Sequence, residues 1–230
     1  MFYHFQNKNA LNYLQTKNSS SMNSKIYHVL SKLENQSKKE REGRVEIAPD
    51  KQILAITADT GMFFSILLKA MKARRILEVG TSAGFSTIWF ADALMAMSSR
   101  NNTRSKPHLM TIEENSDKVG RARKNFQQAG VYGLIELREA SALDVLQGIK
   151  KKDYFDFVFL DADKENIVRY FDFVLPMIRI GGIVAADNML YPEQYRPWMK
   201  KYARHVRSKP NVQSVTVPIG MGEEITIRLS

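Results

Sequence analysis

Between Thr60 and the C-terminus, short apolar runs alternate with longer stretches whose apolar positions recur at helical spacing. G-M-F-F-S-I-L-L-K-A-M-K, starting at Gly61, reads as a largely buried helix. It leads into R-R-I-L-E-V-G (74–80), a strand ending at Gly80. Further strands are predicted over H-L-M-T-I-E (108–113), L-I-E-L-R-E-A (134–140), F-D-F-V-F-L (155–160) and G-I-V-A-A (182–186). Helices are predicted over 85–97, over 115–129 with a stop at Gly130, over 142–149 and over 165–178. Five strands joined by helical crossovers imply a parallel sheet covered on both faces, and crossover handedness makes it doubly wound. After a helix near 193–207, S-V-T-V-P-I-G and E-I-T-I-R-L-S follow within a few residues of each other, so they must pair antiparallel. The expected fold is therefore α/β, a mostly parallel, seven-stranded, doubly wound sheet closed by a C-terminal antiparallel hairpin strand.

Residues 1–50 differ. They carry S-S-S at 19–21, the charge run S-K-K-E-R-E-G-R at 37–44, and one amphipathic stretch, Ile26, Leu30 and Leu33. This reads as an N-terminal helical and polar appendage over 1–44, followed by one domain over 45–230. Its apolar stripe suits either a second subunit or the chain's own domain.

With 230 residues, 44% of them hydrophobic, one sizeable core is expected. There is no Cys, and the four His are scattered, so thiolate chemistry is excluded and zinc is disfavoured. A bound metal would take oxygen ligands, which favours Mg²⁺, Mn²⁺ or Ca²⁺. No signal peptide is recognised and no window approaches the roughly 20 apolar residues of a membrane span, so a cytoplasmic protein without a membrane partner is expected. The net charge of +10 suits anionic substrates, nucleic acid or an anionic surface alike. Its basic residues cluster at Arg41 and Arg44, at 100–106, at 150–152 and at 200–209.

Candidate chemistry sits at the strand ends. F-L-D-A-D-K (159–164) and G-G-I-V-A-A-D-N (181–188) each end a strand with oxygen ligands, Asp161 in one and Asp187 and Asn188 in the other. Carboxyl ends of parallel strands share one crevice, so these oxygens can converge on a hard divalent cation. E-V-G-T-S-A-G-F-S (78–86) is a glycine-containing strand-to-helix loop of the kind that holds cofactors. It departs from G-x-G-x-x-G at Ser82, which argues against a pyrophosphate on the backbone. Glu113 ends its strand where nucleotide binders place a carboxylate on the ribose, and it equally suits an acid preceding a helix N-terminus. Glu78, a carboxylate within a strand, needs donors if it is buried.

Taken together, these motifs resemble the cation-dependent O-methyltransferases that use S-adenosylmethionine, the group containing catechol and caffeoyl-coenzyme A O-methyltransferases. The resemblance covers roughly residues 45–230 and rests on E-V-G-T-S-A-G-F-S, F-D-F-V-F-L-D-A-D-K, G-G-I-V-A-A-D-N and the closing V-P-I-G-M-G-E-E-I-T-I-R. It implies a Rossmann-like class I methyltransferase fold and a metal site of Asp161, Asp187 and Asn188. It also implies cofactor contacts from Glu78, Gly80, Thr81, Gly84, Ser86, Glu113, Ala140, Ser141 and Asp161. Lys164, with Asp161 beside it, would be catalytic, the lysine acting as base with its pKa depressed by a helix N-terminus and the metal. Without the surrounding D-A-D-K, Lys164 reads equally as a surface lysine paired with Asp163 or Glu165.

The implied reaction moves a methyl group to a metal-chelated hydroxyl of a small, catechol-like acceptor with vicinal hydroxyls, in a homodimer. The sequence leaves the familiar pattern after Asn188, where M-L-Y-P-E-Q-Y-R-P-W offers Met189, Tyr191, Tyr195 and Trp198 as acceptor contacts. Two alternatives use the same residues. One is a tRNA hydroxyuridine O-methyltransferase, motivated by the basic segments, and the other is a non-catalytic S-adenosylmethionine-binding module.

Overall fold

The computed structural model describes residues 22–48, 51–98 and 107–230. The S-S-S run at 19–21 and the basic segment at 100–106 lie outside the described residues. Helices Ser24–Arg41 (α1) and Ala58–Met71 (α2) precede strand Arg75–Val79 (β1) and helix Phe85–Ser98 (α3). Strand His108–Glu113 (β2), helix Ser116–Ala129 (α4), strand Ile135–Glu139 (β3) and helix Ala142–Gly148 (α5) follow. Then come strand Phe155–Leu160 (β4), helix Ile167–Val174 (α6), strand Ile178–Ala186 (β5) and helix Arg196–Arg207 (α7). Strands Val212–Val217 (β6) and Glu223–Arg228 (β7) close the chain.

The seven strands form one sheet in the order β3-β2-β1-β4-β5-β7-β6. β1 to β5 pair in parallel, whereas β7 is antiparallel to both β5 and β6. The expected topology is thus present, closing hairpin included. The strand order reverses between β1 and β4, so the crevice for a ligand opens beyond their carboxyl ends.

Both faces of the sheet are buried. On one, Phe64 of α2 and Phe90 of α3 meet Phe157 and Phe159 of β4 with ring centroids 5.2–6.2 Å apart. On the other, α6 and α7 bring Tyr170, Phe171, Met199 and Tyr202 against Val158, Leu160 and Val184. Asp156 ties the amino ends of the central strands together, accepting hydrogen bonds from the backbone N–H groups of Arg74 and Arg75, both at 2.9 Å, and from Arg179 Nε at 2.6 Å.

Two expectations are corrected. The helix predicted over 165–178 ends at Val174: Leu175 keeps helical backbone, but Pro176 has no N–H to continue the ladder. The strand predicted from Gly182 begins instead at Ile178, with a register irregularity opposite Phe155 and Phe157 taking up Gly181 and Gly182. The α1 stripe, open to two destinations in the sequence, takes the second of them. Ile26, Val29, Leu30 and Leu33 of α1 are buried in the same apolar cluster as Phe64, Phe90 and Phe157. The α1 stripe is spent on the chain's own domain, where Ser37 Oγ also donates to the Ile53 carbonyl at 3.0 Å.

Leu30 is fully buried. Leu30→Ala is expected to lower the free energy of unfolding of the whole domain by about 2–5 kcal/mol, in a single cooperative urea transition. A loosely attached helix would leave the midpoint unchanged.

Candidate active site

A cavity of about 550 Å³ opens at the carboxyl ends of the strands. Its wall includes Gly80, Ser82, Glu113, Ala140, Ser141, Asp161, Lys164, Asp187 and Asn188. Residues from four strand-to-helix connections therefore share one space, as the topology requires.

The loop after β1 is shaped by packing at two glycines. Gly80 has φ +102°, and a Cβ there would lie 2.2 Å from the Asp161 carbonyl oxygen. The close approach that requires glycine here is backbone to backbone. Gly84 has φ +88°, and a Cβ would strike the Phe126 ring at 2.3 Å. Asn125 of α4 donates to the Ala83 carbonyl at 2.9 Å, and the N–H of Ser82 donates to Glu113 Oε2 at 2.8 Å. Ser82 itself adopts φ +48°, a left-handed conformation uncommon for a residue with a Cβ.

Glu78 finds the donors that its burial demands. The hydroxyls of Ser86, Thr87 and Thr111 donate to its carboxylate at 2.5, 2.5 and 2.6 Å. Burial nevertheless pushes its carboxyl up to about 7, against the pull of the three hydroxyls. Of the predicted cofactor residues, Gly80, Glu113, Ala140, Ser141 and Asp161 reach the cavity wall. Glu78, Thr81, Gly84 and Ser86 are not on it. They form the layer behind it, with Thr81 and Thr111 linked through their hydroxyls at 2.6 Å.

At the ends of β4 and β5 the predicted oxygens do come together on the wall. Lys164 Nζ lies 2.9 Å from Asp161 Oδ1 and is almost fully buried. It pairs with Asp161 and not with Asp163, whose carboxylate instead holds Asn166 and Tyr170. Burial lowers the Lys164 pKa, but Asp161 and Asp187 outweigh it, so the ammonium is held above its ordinary range. The expected depression by a helix N-terminus is absent from these surroundings, since Lys164 precedes α6 and faces two carboxylates.

Asp187 is buried, accepts the Asn188 N–H at 2.6 Å, and is pushed upward by burial and by Asp161. Asn188 has φ +68°, a conformation that asparagine tolerates better than most residues with a side chain. Among the described residues, no three His, Asp or Glu side chains are gathered closely enough to hold a metal by themselves.

Several wall residues escaped the sequence reading. Arg41, Ile53, Leu54 and Ala55 come from the N-terminal segment, Lys118 from α4, and Met221 from the closing hairpin. Their apolar or basic character carried no local signal of a site. Of the proposed acceptor contacts, Tyr191 and Tyr195 line the cavity, whereas Met189 and Trp198 do not. Glu223, also unremarked in the sequence, is not on the wall and lies wholly buried beside Asp187.

Residues 28–229 match the O-methyltransferase family profile. The chain belongs to the O-methyltransferase family. Among curated relatives of this family, the catechol O-methyltransferase of Mycobacterium tuberculosis is 36% identical over 137 residues, 60% of this chain and 58% of that protein. The match to this relative therefore spans less than two thirds of its length. The caffeoyl-CoA O-methyltransferase 1 of Eucalyptus globulus is 26% identical over 196 residues, 77% of this chain and 76% of that one. Among solved structures, the O-methyltransferase TomG of Streptomyces achromogenes, in complex with SAM, superimposes with a TM-score of 0.71 at 28% identity. That superposition covers 88% of this chain and 90% of the other. A Bacillus cereus O-methyltransferase in complex with SAH gives 0.69 at 25% identity, covering 95% and 97%.

The Glu78 cradle makes a prediction for the family fold without any ligand. A carboxyl whose pKa is raised on folding favours the folded state while protonated, so its contribution is lost as pH rises from about 4.5 to about 7. Glu78→Gln should remove part of the decline in unfolding free energy across that interval. Urea titrations at pH 5, 6, 7 and 8 will measure it, and an unchanged slope would rule out this role.

Proposed function

We propose that this chain is an S-adenosylmethionine-dependent O-methyltransferase that uses a divalent cation, Mg²⁺ in preference to Mn²⁺ or Ca²⁺, to methylate a small catechol-like acceptor. One observation carries this reading. Asp161, Asp187, Asn188 and Lys164 lie on the wall of the same cavity as Glu113, Ala140 and Ser141. A volume of about 550 Å³ suits a nucleoside-sized cofactor together with a small second molecule.

The residues present fit both groups. Two carboxylates and an amide oxygen are hard donors of the type that Mg²⁺ prefers, and one buried ammonium does not neutralise the acidic side chains around it. Glu113 would accept ribose hydroxyls, Ala140 and Ser141 would lie at the adenine, and Asp161 would lie near the cofactor's ammonium. S-adenosylmethionine, when bound, supplies a methyl group on a sulfonium. The cation, when bound, stabilises the negative charge that develops on the acceptor oxygen.

The chain's own residues align and deprotonate. Tyr191 and Tyr195 offer ring faces against an aromatic acceptor, keeping water from its reacting edge. Lys164 would take the proton of the acceptor hydroxyl, and S-adenosylmethionine would supply the methyl group to that oxygen and leave as a neutral thioether. Lys164 becomes an effective base only while the charges of Asp161 and Asp187 are engaged elsewhere, since those charges favour its ammonium. Opposite charges on oxygen and sulfur cancel during transfer, so a poorly hydrated cavity favours the step.

The tRNA alternative gains no support from the described basic segment near 200–209. There Arg207 is paired with buried Glu224, and His205 and Lys209 are paired with Asp172. Nor does a module that only binds its cofactor need a lysine buried against Asp161.

Methyl transfer from labelled S-adenosylmethionine to a panel of catechols is expected to be abolished by EDTA and restored by Mg²⁺. Lys164→Met should lower kcat by about 100-fold or more while leaving the cofactor Kd unchanged by calorimetry. Glu113→Ala should weaken cofactor binding by about 10-fold or more. Transfer indifferent to EDTA would reject the cation-assisted mechanism.

A further inference from the structure

Among the described residues, every buried carboxylate but one accepts a hydrogen bond from a hydroxyl, an N–H or a basic side chain. Glu78 receives three hydroxyls. Glu224, wholly buried, receives Arg207 Nε at 3.0 Å and Nη2 at 2.9 Å, together with the hydroxyls of Ser214 and Thr216. Glu223, next in the chain and equally buried, is reached by no N–H, hydroxyl or basic donor on either oxygen, and the one polar group against it is the Asp187 carboxyl. Its polar surroundings are Asp187 and Asp161, both acidic, and the Lys164 ammonium that Asp161 already engages. With Asp187 and Glu223 both ionised, neither has a proton to offer the other.

Strand geometry explains where Glu223 points. Ala186 of β5 pairs with Glu224 of β7, so one step further along the antiparallel register Glu223 faces Asp187. The backbone remains joined past that point, where the Met189 N–H donates to the Gly222 carbonyl at 2.9 Å. Directly opposed residues put their side chains on the same face of a sheet. Successive residues alternate faces, so Glu224 turns toward Arg207 while Glu223 shares a face with Ile225 and Ile227, which pack against the apolar cluster. A carboxylate at that apolar position is costly unless positive charge reaches it.

We propose that Glu223 is a third acidic member of the cation site, a carboxylate held beside Asp187 whose charge strengthens the binding of a divalent ion there. The inference rests on the cation-dependent reading above and assigns Glu223 a positioning role, acting through Asp187, without contact to the acceptor. The closing hairpin then contributes to the site, and the site spans the β4, β5 and β7 ends. Charge near a metal ligand sets affinity even when it makes no bond to the ion, with changes of about 10- to 100-fold when such partners are replaced.

Glu223→Gln removes the charge and keeps the shape. Titration of Mn²⁺ followed by the loss of its free-ion electron paramagnetic resonance signal should show a Kd at least about 10-fold higher for this variant than for the wild-type chain. Without cation, its thermal midpoint should be no lower than that of the wild-type chain, because no donor to Glu223 is lost and the crowding of acidic groups at Asp187 is relieved. The Mg²⁺-induced rise of that midpoint should shrink.

Glu224→Gln serves as the contrast, expected to lower the thermal midpoint while leaving the Mn²⁺ Kd within about twofold. Asp187→Asn separates the two readings. If wild-type protein binds Mn²⁺, Asp187→Asn abolishes binding and Glu223→Gln matches wild type, the role of Glu223 is overturned and the cation site stands. If wild-type protein binds no Mn²⁺ at millimolar concentration, both fall.

Discussion

The passage of the Asp161 backbone across Gly80 is the constraint on which the site depends. Where β1 and β4 end side by side, the Asp161 N–H donates to the Val79 carbonyl at 2.8 Å, and the Asp161 carbonyl comes so near Gly80 that any Cβ would overlap it. This contact fixes the direction in which the chain leaves β4, and therefore where the Asp161 side chain and, three residues later, Lys164 emerge. Asp187 is fixed in turn, because its N–H donates to the Leu160 carbonyl at 3.2 Å, one residue before Asp161. Two hydrogen bonds and one missing Cβ thus determine the relative placement of the three groups on which the chemistry turns. The apolar layers beneath, with four phenylalanine rings on one face, keep the strand ends from shifting apart.

Much of this was legible in the sequence, for a physical reason. Parallel strands buried on both faces must be nearly continuous apolar runs, and F-D-F-V-F-L and R-I-L-E-V could hardly be anything else. Helix stops were equally plain at Gly130, which caps α4 in a left-handed conformation. Pro176 carried the same kind of signal. It was overridden by the apolar periodicity on either side, although the proline was the stronger constraint. The α1 stripe was visible too, but its polar surroundings hid its destination, since composition records the exposed side of a helix as strongly as the buried one.

The site was legible where local pattern and topology coincide, and illegible where long-range packing decides. Strand-terminal oxygens at Asp161, Asp187 and Asn188 follow from the general rule for open sheets. That Arg41 and the 53–55 segment would form part of the wall depends on how α1 folds back, which nothing in those residues announces. Lys164 pairs with Asp161, where the sequence offered Asp163 or Glu165, and the sum of two carboxylates around it cannot be estimated before their positions are known. Glu223 was missed despite a usable signal. In E-E-I-T-I-R a period of two places Glu223 with Ile225 and Ile227, and an acid on the apolar side of a strand is the local inconsistency that marks functional sites.

Glu78, Glu224 and Glu223 show three fates of a buried acid within one sheet. The first is held by three hydroxyls and pushed by burial toward its neutral form, and it shapes a loop. The second is matched by a guanidinium, fixing α7 to the hairpin. Neither leaves charge to spare. Glu223 has no such compensation, and with Asp187 and Asp161 beside it the end of the sheet has more negative charge than one ammonium can balance. The fold tolerates that imbalance because a large apolar core lies directly beneath it, and the imbalance is what gives this end of the sheet an attraction for cations that the rest of a strongly basic molecule lacks.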